Sequence, residues 1–175
     1  MLISQTGDDG GLDSNRFRKV MSRFITGVTI VTTRAGDELH GMTCNAFCSI
    51  SIAPLTVMVC LAKNTRTERL LEKGRIFAVN VLSESQAELS DRFAGRHLDH
   101  EVNRFKGLKC TTSVTGAPIF TENQAYLDCN VAKTFDGGSH TIYLGKVVAA
   151  NVDEGQRPLI FYRSRYMGLT NLKHL

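Results

Sequence analysis

His40-Gly41-Met42-Thr43-Cys44-Asn45-Ala46-Phe47-Cys48-Ser49-Ile50-Ser51, followed by Ala53-Pro54 and the apolar run Leu55 to Leu61, is the stretch on which the reading of this chain turns. It mixes β-favouring residues with small uncharged polar ones, where an ordinary surface strand would set apolar against charged. Read at period two as one strand, Thr43, Asn45, Phe47 and Ser49 point one way, and Met42, Cys44, Ala46 and Cys48 the other. One face then carries hydroxyl, carboxamide and ring together. Such a face suits the edge of a flat polar heteroaromatic ligand, because amide and hydroxyl both donate and accept while small neighbours let the backbone approach. A half-buried strand whose Asn and Ser cap a turn fits the same residues equally well, and both readings stand at this point.

Working outward, Phe17, Val20, Met21 and Phe24 fall at i, i+3, i+4 and i+7, which predicts an amphipathic helix ended by Gly27. The β-branched run Val28 to Thr33 predicts a strand, the Ala35-Gly36-Asp37-Glu38 turn leads into the opening stretch, and Pro54 breaks it before the strand Leu55 to Leu61. Thr67 to Lys73 reads as a short helix stopped by Gly74, and Arg75 to Leu82 as a strand. Ser83 with Gln86 three residues later is a capping box, which predicts a helix over Glu84 to Phe93 closed by Gly95. Further strands are expected at Leu108 to Ser113, Gln124 to Phe135, His140 to Val152 and Leu159 to Tyr162, separated by Gly116-Ala117-Pro118 and Asp136-Gly137-Gly138. Roughly seven or eight strands against a few helices, mostly joined by short turns, point to a mainly β, α+β fold: an antiparallel barrel with helices packed outside.

The chain's 175 residues, 42% of them hydrophobic, fit one domain over 14–175 after a polar, glycine-containing segment over 1–13 that is expected to stay mobile. No window approaches the roughly 20 apolar residues of a membrane span, and the N-terminus is not a charged-then-apolar export signal, so the expectation is a cytoplasmic protein without a membrane role. Five cysteines, Cys44, Cys48, Cys60, Cys110 and Cys129, form no metal or redox spacing and read as reduced packing residues. A net charge of +4 from 21 basic and 17 acidic residues, without a basic run, argues against nucleic acid and is compatible with anionic small ligands.

Asn64-Thr65-Arg66-Thr67 sits where a strand gives way to a helix, so free N–H groups, two hydroxyls and a guanidinium meet at one place. From the residues alone, Thr65 or Thr67 capping the helix beside a solvated Arg66 is the simpler reading. Phe77 to Asn80 reads as core strand, and Arg92 closes a helix where the dipole favours it. His97-Leu98-Asp99-His100-Glu101 holds two histidines three apart but lacks a distant third ligand, and reads as a polar loop rather than a metal site. His140 follows a glycine turn and opens a long strand, which places it at a rim. No G-x-G-x-x-G follows a strand, so a nicotinamide dinucleotide would not be held by a Rossmann unit. The chain also carries no Ser-His-Asp or paired-carboxylate constellation.

The stretch Gly41-Met42-Thr43-x-Asn45-x-Phe47-x-Ser49-x-Ser51 resembles the signature of the flavin reductase family, whose members supply reduced flavin to two-component monooxygenases. Phe17 to Thr33, Phe77 to Leu82, Arg92 to Gly95, Ser139 to Val147 and Pro158 to Tyr166 are similar to the family's other blocks in the same order, from about Asn15 to Gly168. The resemblance implies an FMN-binding split β-barrel built as a homodimer. It implies flavin contacts from Thr43, Cys44, Asn45, Ala46, Cys48 and Ser49, a flavin phosphate at Thr65, Arg66 and Thr67, contacts through backbone groups of the strand at Asn80, and a contact at Phe93, for which core packing is the alternative. Tyr162 and Tyr166 would line the pocket that flavin shares with nicotinamide, and His140 would be the catalytic-site histidine near the nicotinamide. Where the family has Gly-Asp-His, this chain has Gly138-Ser139-His140, so a carboxylate that would orient the ring is replaced. The implied activity is reduction of FMN or FAD by NADH, favoured over NADPH because no basic cluster for a 2′-phosphate is visible, with the reduced flavin passing to a separate oxygenase. Two alternatives on the same fold are an electron carrier that holds FMN tightly and a flavin-binding module without catalysis.

Overall fold

The computed structural model of the chain describes residues 13–96 and 103–169. The expected mobile segment over 1–13 lies outside these apart from Asp13, as does the His97 to Glu101 loop. Helix α1 (Ser14–Met21) starts at Asp13, whose carboxylate accepts the Arg16 N–H at 2.7 Å. It ends at Ser22, short of Gly27, because Arg23 and Phe24 close onto Val20 and Met21 in tight turns. Its stripe is not core: Phe17, Val20, Met21 and Phe24 are between 50% and 70% exposed.

After β1 (Thr26–Gly27) come β2 (Thr29–Ala35) and β3 (Glu38–Cys44), a hairpin turning at Gly36, whose φ of +61° favours glycine. The predicted single strand through the opening stretch is in fact two, β3 and β4 (Phe47–Ile52), interrupted at Asn45-Ala46. The cause is tertiary: β3 pairs with β2, whereas β4 pairs with β5 (Leu55–Ala62), so the chain crosses between opposite ends of one sheet. Ala46 leaves the ladder and its carbonyl accepts the Cys60 N–H at 3.0 Å. The Ala53-Pro54 peptide bond between β4 and β5 is cis.

Helix α2 (Arg66–Gly74), capped by Thr65, buries Leu70 and Leu71 and ends on Arg75 in the left-handed region. Strand β6 (Ile76–Val81) leads to the Ser83–Gln86 capping box, where the Ser83 N–H reaches Gln86 Oε1 at 3.0 Å. A 3₁₀ turn over Glu84–Gln86 precedes α3 (Ala87–Phe93). Leu108 to Ser113 yields only β7 (Cys110–Thr111), paired with β8 (Ile119–Phe120). Two long strands follow, β9 (Ala125–Asp136) and β10 (His140–Val152), then the hairpin β11 (Ile160–Tyr162) and β12 (Arg165–Met167).

The result is mainly β with every pairing antiparallel: a seven-stranded sheet in the order β3-β2-β6-β9-β10-β5-β4, with smaller sheets β1-β11-β12 and β7-β8. Strand β2, second from one edge of this sheet, is buried on both faces from Thr29 to Thr33, which is why its sequence is continuously β-branched rather than alternating. One core cluster gathers Val31, Val57, Val59, Leu61, Phe77, Val79 and Tyr143. Gly145 lets β10 pass Phe77: a Cβ there would lie 2.7 Å from the ring's Cε1 and 3.0 Å from Cys129 Cβ. A second cluster holds Val28, Ile30, Leu82, Phe93, Phe120 and Leu159. Each large side chain so enclosed contributes about 1.5–3 kcal/mol. No described helix is long and apolar enough to cross a membrane.

Candidate functional site

The crossing at Asn45-Ala46 leaves both residues exposed between two strand ends, with a backbone outside any ladder. Two cavities meet there and share Asn45 and Phe161. One, of about 120 Å³, is lined by Val28, Thr43, Arg96 and Tyr166. The other, of about 500 Å³, lies under α1 and is lined by Phe17, Met21, Phe24, Phe47 and Met58, with Ala46 and Thr26 at its polar side. Thr26 Oγ1 is the buried side-chain polar atom without a hydrogen-bond partner among the described residues.

The walls of the smaller cavity are cross-tied. Thr43 Oγ1 donates to the Ser90 carbonyl at 2.6 Å, and the Tyr166 hydroxyl lies 2.8 Å from Ser90 Oγ and 3.0 Å from Asp91 Oδ1. Arg96 pairs with Asp91 at 3.0 Å and its Cζ stands 5.9 Å from the Tyr166 ring centroid. Burial pushes the Tyr166 phenol pKa up, with Asp91 adding to the shift. The site thus presents a phenol, a guanidinium, an amide and the exposed main chain of the crossing, a set that fits a polar ring system carrying both donors and acceptors.

Beside Ala46, the outward face of β5 and β10 carries Met58, Cys60, Ala62, Ile142 and His140, because Val57, Val59 and Leu61 point into the core. Cys60 bonds the Ala46 carbonyl and Ala62 pairs with His140. Two residues of strand therefore separate the corner from the histidine, about 7 Å at the usual rise. His140 is exposed, and Ser139 Oγ lies 2.9 Å from its Nδ1. Ala62 also accepts the Thr65 hydroxyl at 3.0 Å, which brings the start of α2 to the same rim.

Several expected contacts are placed elsewhere. Asn80 is fully buried: its Nδ2 donates to the Ile30 carbonyl and Thr32 Oγ1, and its Oδ1 accepts from the Phe120 N–H and Asn123 Nδ2, so no side-chain group is left for a ligand. Phe93 is likewise core, 5.1 Å from Phe105 and 5.2 Å from Phe120 in edge-to-face packing. Cys44 turns inward, with its thiol on the Ala46 and Cys60 carbonyls and its pKa raised by burial to about 11. It does not share a face with Cys48, which instead lies on the outer face near Cys60. Thr67 is buried with its hydroxyl 2.8 Å from His40 Nδ1. Thr65 is spent as the α2 cap, and Arg66 is held by Glu38. Tyr162 lies in the β11–β12 hairpin, with Arg163 Cζ 5.2 Å from its ring centroid. Thr43, Asn45, Ala46 and Tyr166 are thus brought together, His140 and the Thr65–Arg66 turn share the neighbouring rim, and Cys48 and Ser49 flank them on β4. Arg96 carries no spacing signal in the sequence and only trails the Arg92 to Gly95 block, whereas Phe161 lies within the Pro158 to Tyr166 block. No group of three or more potential metal ligands occurs among the described residues.

The flavin reductase-like domain model matches residues 21–170. The reductase subunit HsaB of a flavin-dependent monooxygenase from Rhodococcus jostii is 38% identical over 172 residues, covering 95% of this chain and 86% of that protein. The NADH-dependent flavin reductase StyB of Pseudomonas fluorescens is 36% identical over 160 residues, covering 90% and 91%. Among solved structures, the NADH:FAD oxidoreductase SgcE6 of Streptomyces globisporus, in complex with NAD and FAD fragments, superposes with a TM-score of 0.81 at 34% identity, covering 89% of this chain and 92% of that one. On a match spanning nearly the whole described fold and its corner site, the chain belongs to the flavin reductase-like domain family.

Proposed function

We propose that this chain is an NADH:flavin oxidoreductase that reduces FMN or FAD and supplies the reduced flavin to a separate oxygenase. The carrying observation is the exposed Asn45-Ala46 corner where two cavities share Asn45 and Phe161, beside a flat rim ending at His140. Flavin, when bound, supplies the hydride-accepting chemistry. The residues present fit it: the exposed Asn45 carboxamide and main chain for its polar edge, Tyr166 and Arg96 for orientation, and small Cys60 and Ala62 side chains that let flat rings lie close. His140, held by Ser139, is suited to orient the nicotinamide. None of these groups needs to exchange a proton with the reactants, in keeping with chemistry carried by the cofactors.

The same reading makes the curled sheet a split barrel of the FMN-binding type and the protein a cytoplasmic homodimer. Supporting the dimer, Val20 on α1, Phe24 just after it, and Ile52 and Leu55 on the β4–β5 hairpin are 62%, 70%, 85% and 56% exposed, more large apolar side chains than isolated surface residues account for. The test is NADH oxidation by the purified chain with FMN, with FAD and with neither. Turnover that depends on added flavin is expected, and a yellow protein that keeps its flavin through dialysis without oxidising NADH would overturn the reading in favour of an electron carrier. Light scattering at micromolar concentration is expected to give twice the chain mass.

A further inference from the structure

Arg66 opens α2 and donates from Nε and Nη2 to Glu38 Oε1 at 2.9 and 2.7 Å, while the Asn64 N–H just before the cap donates to Glu68 Oε2 at 3.0 Å. The guanidinium and N–H that an anion would seek at this helix start are each held by a carboxylate of the chain itself. The two carboxylates differ in how firmly they are fixed. Glu68 also accepts the Thr141 hydroxyl at 2.9 Å and so braces α2 against β10. Glu38 has no second side-chain partner among the described residues, and the side chains of Glu38 and Arg66 are 47% and 49% exposed. Their pair forms one wall of an open cavity of about 380 Å³ that also includes Asp37, His40 and Arg104.

We propose that Glu38 is an internal competitor for the flavin phosphate: it occupies Arg66 in the free protein and is displaced when the phosphate binds, which keeps flavin affinity low enough for the reduced product to leave. The inference rests on the reading of the Asn64-Thr65-Arg66-Thr67 helix start as the phosphate end of the flavin site. Because the pair is exposed, the competition changes affinity by at most about fivefold. That suits a ligand handed on as a substrate rather than kept as a prosthetic group.

The experiment compares dissociation constants of FMN and riboflavin for the full chain by fluorescence quenching, since riboflavin lacks only the phosphate. The ratio of riboflavin to FMN dissociation constants should rise about two- to fivefold in Glu38→Gln and in Glu38→Ala, and fall towards one in Arg66→Gln. Asp37→Asn removes the same charge from the neighbouring residue, which holds no bond to Arg66, and should move the ratio much less. An unchanged ratio in both Glu38 variants, with Arg66→Gln still lowering it, would overturn the competition and leave the phosphate site standing. An equal rise in Asp37→Asn would overturn it too, by reducing the effect to general charge. A ratio that none of the variants moves would sink the phosphate site itself, while flavin-dependent NADH oxidation would remain a separate result.

Discussion

Asn80→Ala separates a core residue from a ligand residue. In the native protein the Asn80 carboxamide makes four hydrogen bonds while fully buried. Truncation leaves Thr32 with its bond to the Pro118 carbonyl, but strips the Phe120 N–H and the Asn123 amide of their acceptor. Each polar group orphaned inside costs roughly 1–3 kcal/mol, so the pair costs about 2–6 kcal/mol before any cavity is counted. A domain of this size loses about 2–4 °C of Tm per kcal/mol, which puts the expected drop near 10 °C at the centre of the range. Thermal unfolding by circular dichroism measures this, and flavin titration well below the new Tm should give a near wild-type Kd per folded molecule. A wild-type Tm combined with lost flavin affinity would refute the reasoning and return Asn80 to the site.

Gly145→Ala should destabilise by about 2–3 kcal/mol in urea unfolding, because its methyl group would press on the fully buried Phe77 ring and the ring has nowhere to move. His40 titrates near 4 in the folded state, held down by burial and then by Arg104 and Arg66. The unfolded chain, titrating near 6.5, therefore takes up the proton first as pH falls, so this contribution to stability is intact above 6.5 and lost from there towards 4. His40→Gln, which can still reach Thr67 but cannot titrate, should show a shallower fall of Tm across that window, and an unchanged slope would remove His40 as a cause. His140→Ala should slow flavin reduction or raise KM for NADH about tenfold, equivalent to roughly 1.4 kcal/mol, with little change in flavin Kd. Wild-type stopped-flow kinetics with NADH would take His140 out of the site.

Elements whose cause is local were legible in the sequence. The Thr65 cap, the Ser83–Gln86 box, the β-branched run of β2 and the glycine turns at Gly36 and Gly138 all rest on residues within a few positions of one another, and all are found. The break at Asn45-Ala46 was not legible, because the residues on either side have equal strand preference. What ends β3 is that its partner β2 and the partner of β4 lie at different places in the sheet order, a fact about pairings tens of residues away. Short strands such as β8 and β12 fail for a related reason: two or three residues carry no period to read. The stripe on α1 is legible as amphipathic, but periodicity reports only that a face is apolar, not whether this chain covers it.

The same distinction sorts the candidate site. A motif read at period two assigns alternate residues to a common face, and that assignment fails once the strand is interrupted: Cys44 turns into the core, while Cys48 finds Cys60 across β4 and β5. Asn80 and Thr67 illustrate the converse. A polar residue in an apolar run signals that a hydrogen bond must be made there, yet the signal is identical whether the partner is a ligand or the protein's own backbone. For both residues the partners are internal, Phe120 and Asn123 for one and His40 for the other. The residues left facing solvent at the corner, Asn45 and Ala46, are those whose backbone the crossing releases from the sheet. In the proposed site, binding capacity would arise at this corner because the change of pairing partner exposes Asn45 and Ala46, and the flanking side chains of Tyr166, Arg96 and His140 would act on a ligand through the position that crossing fixes.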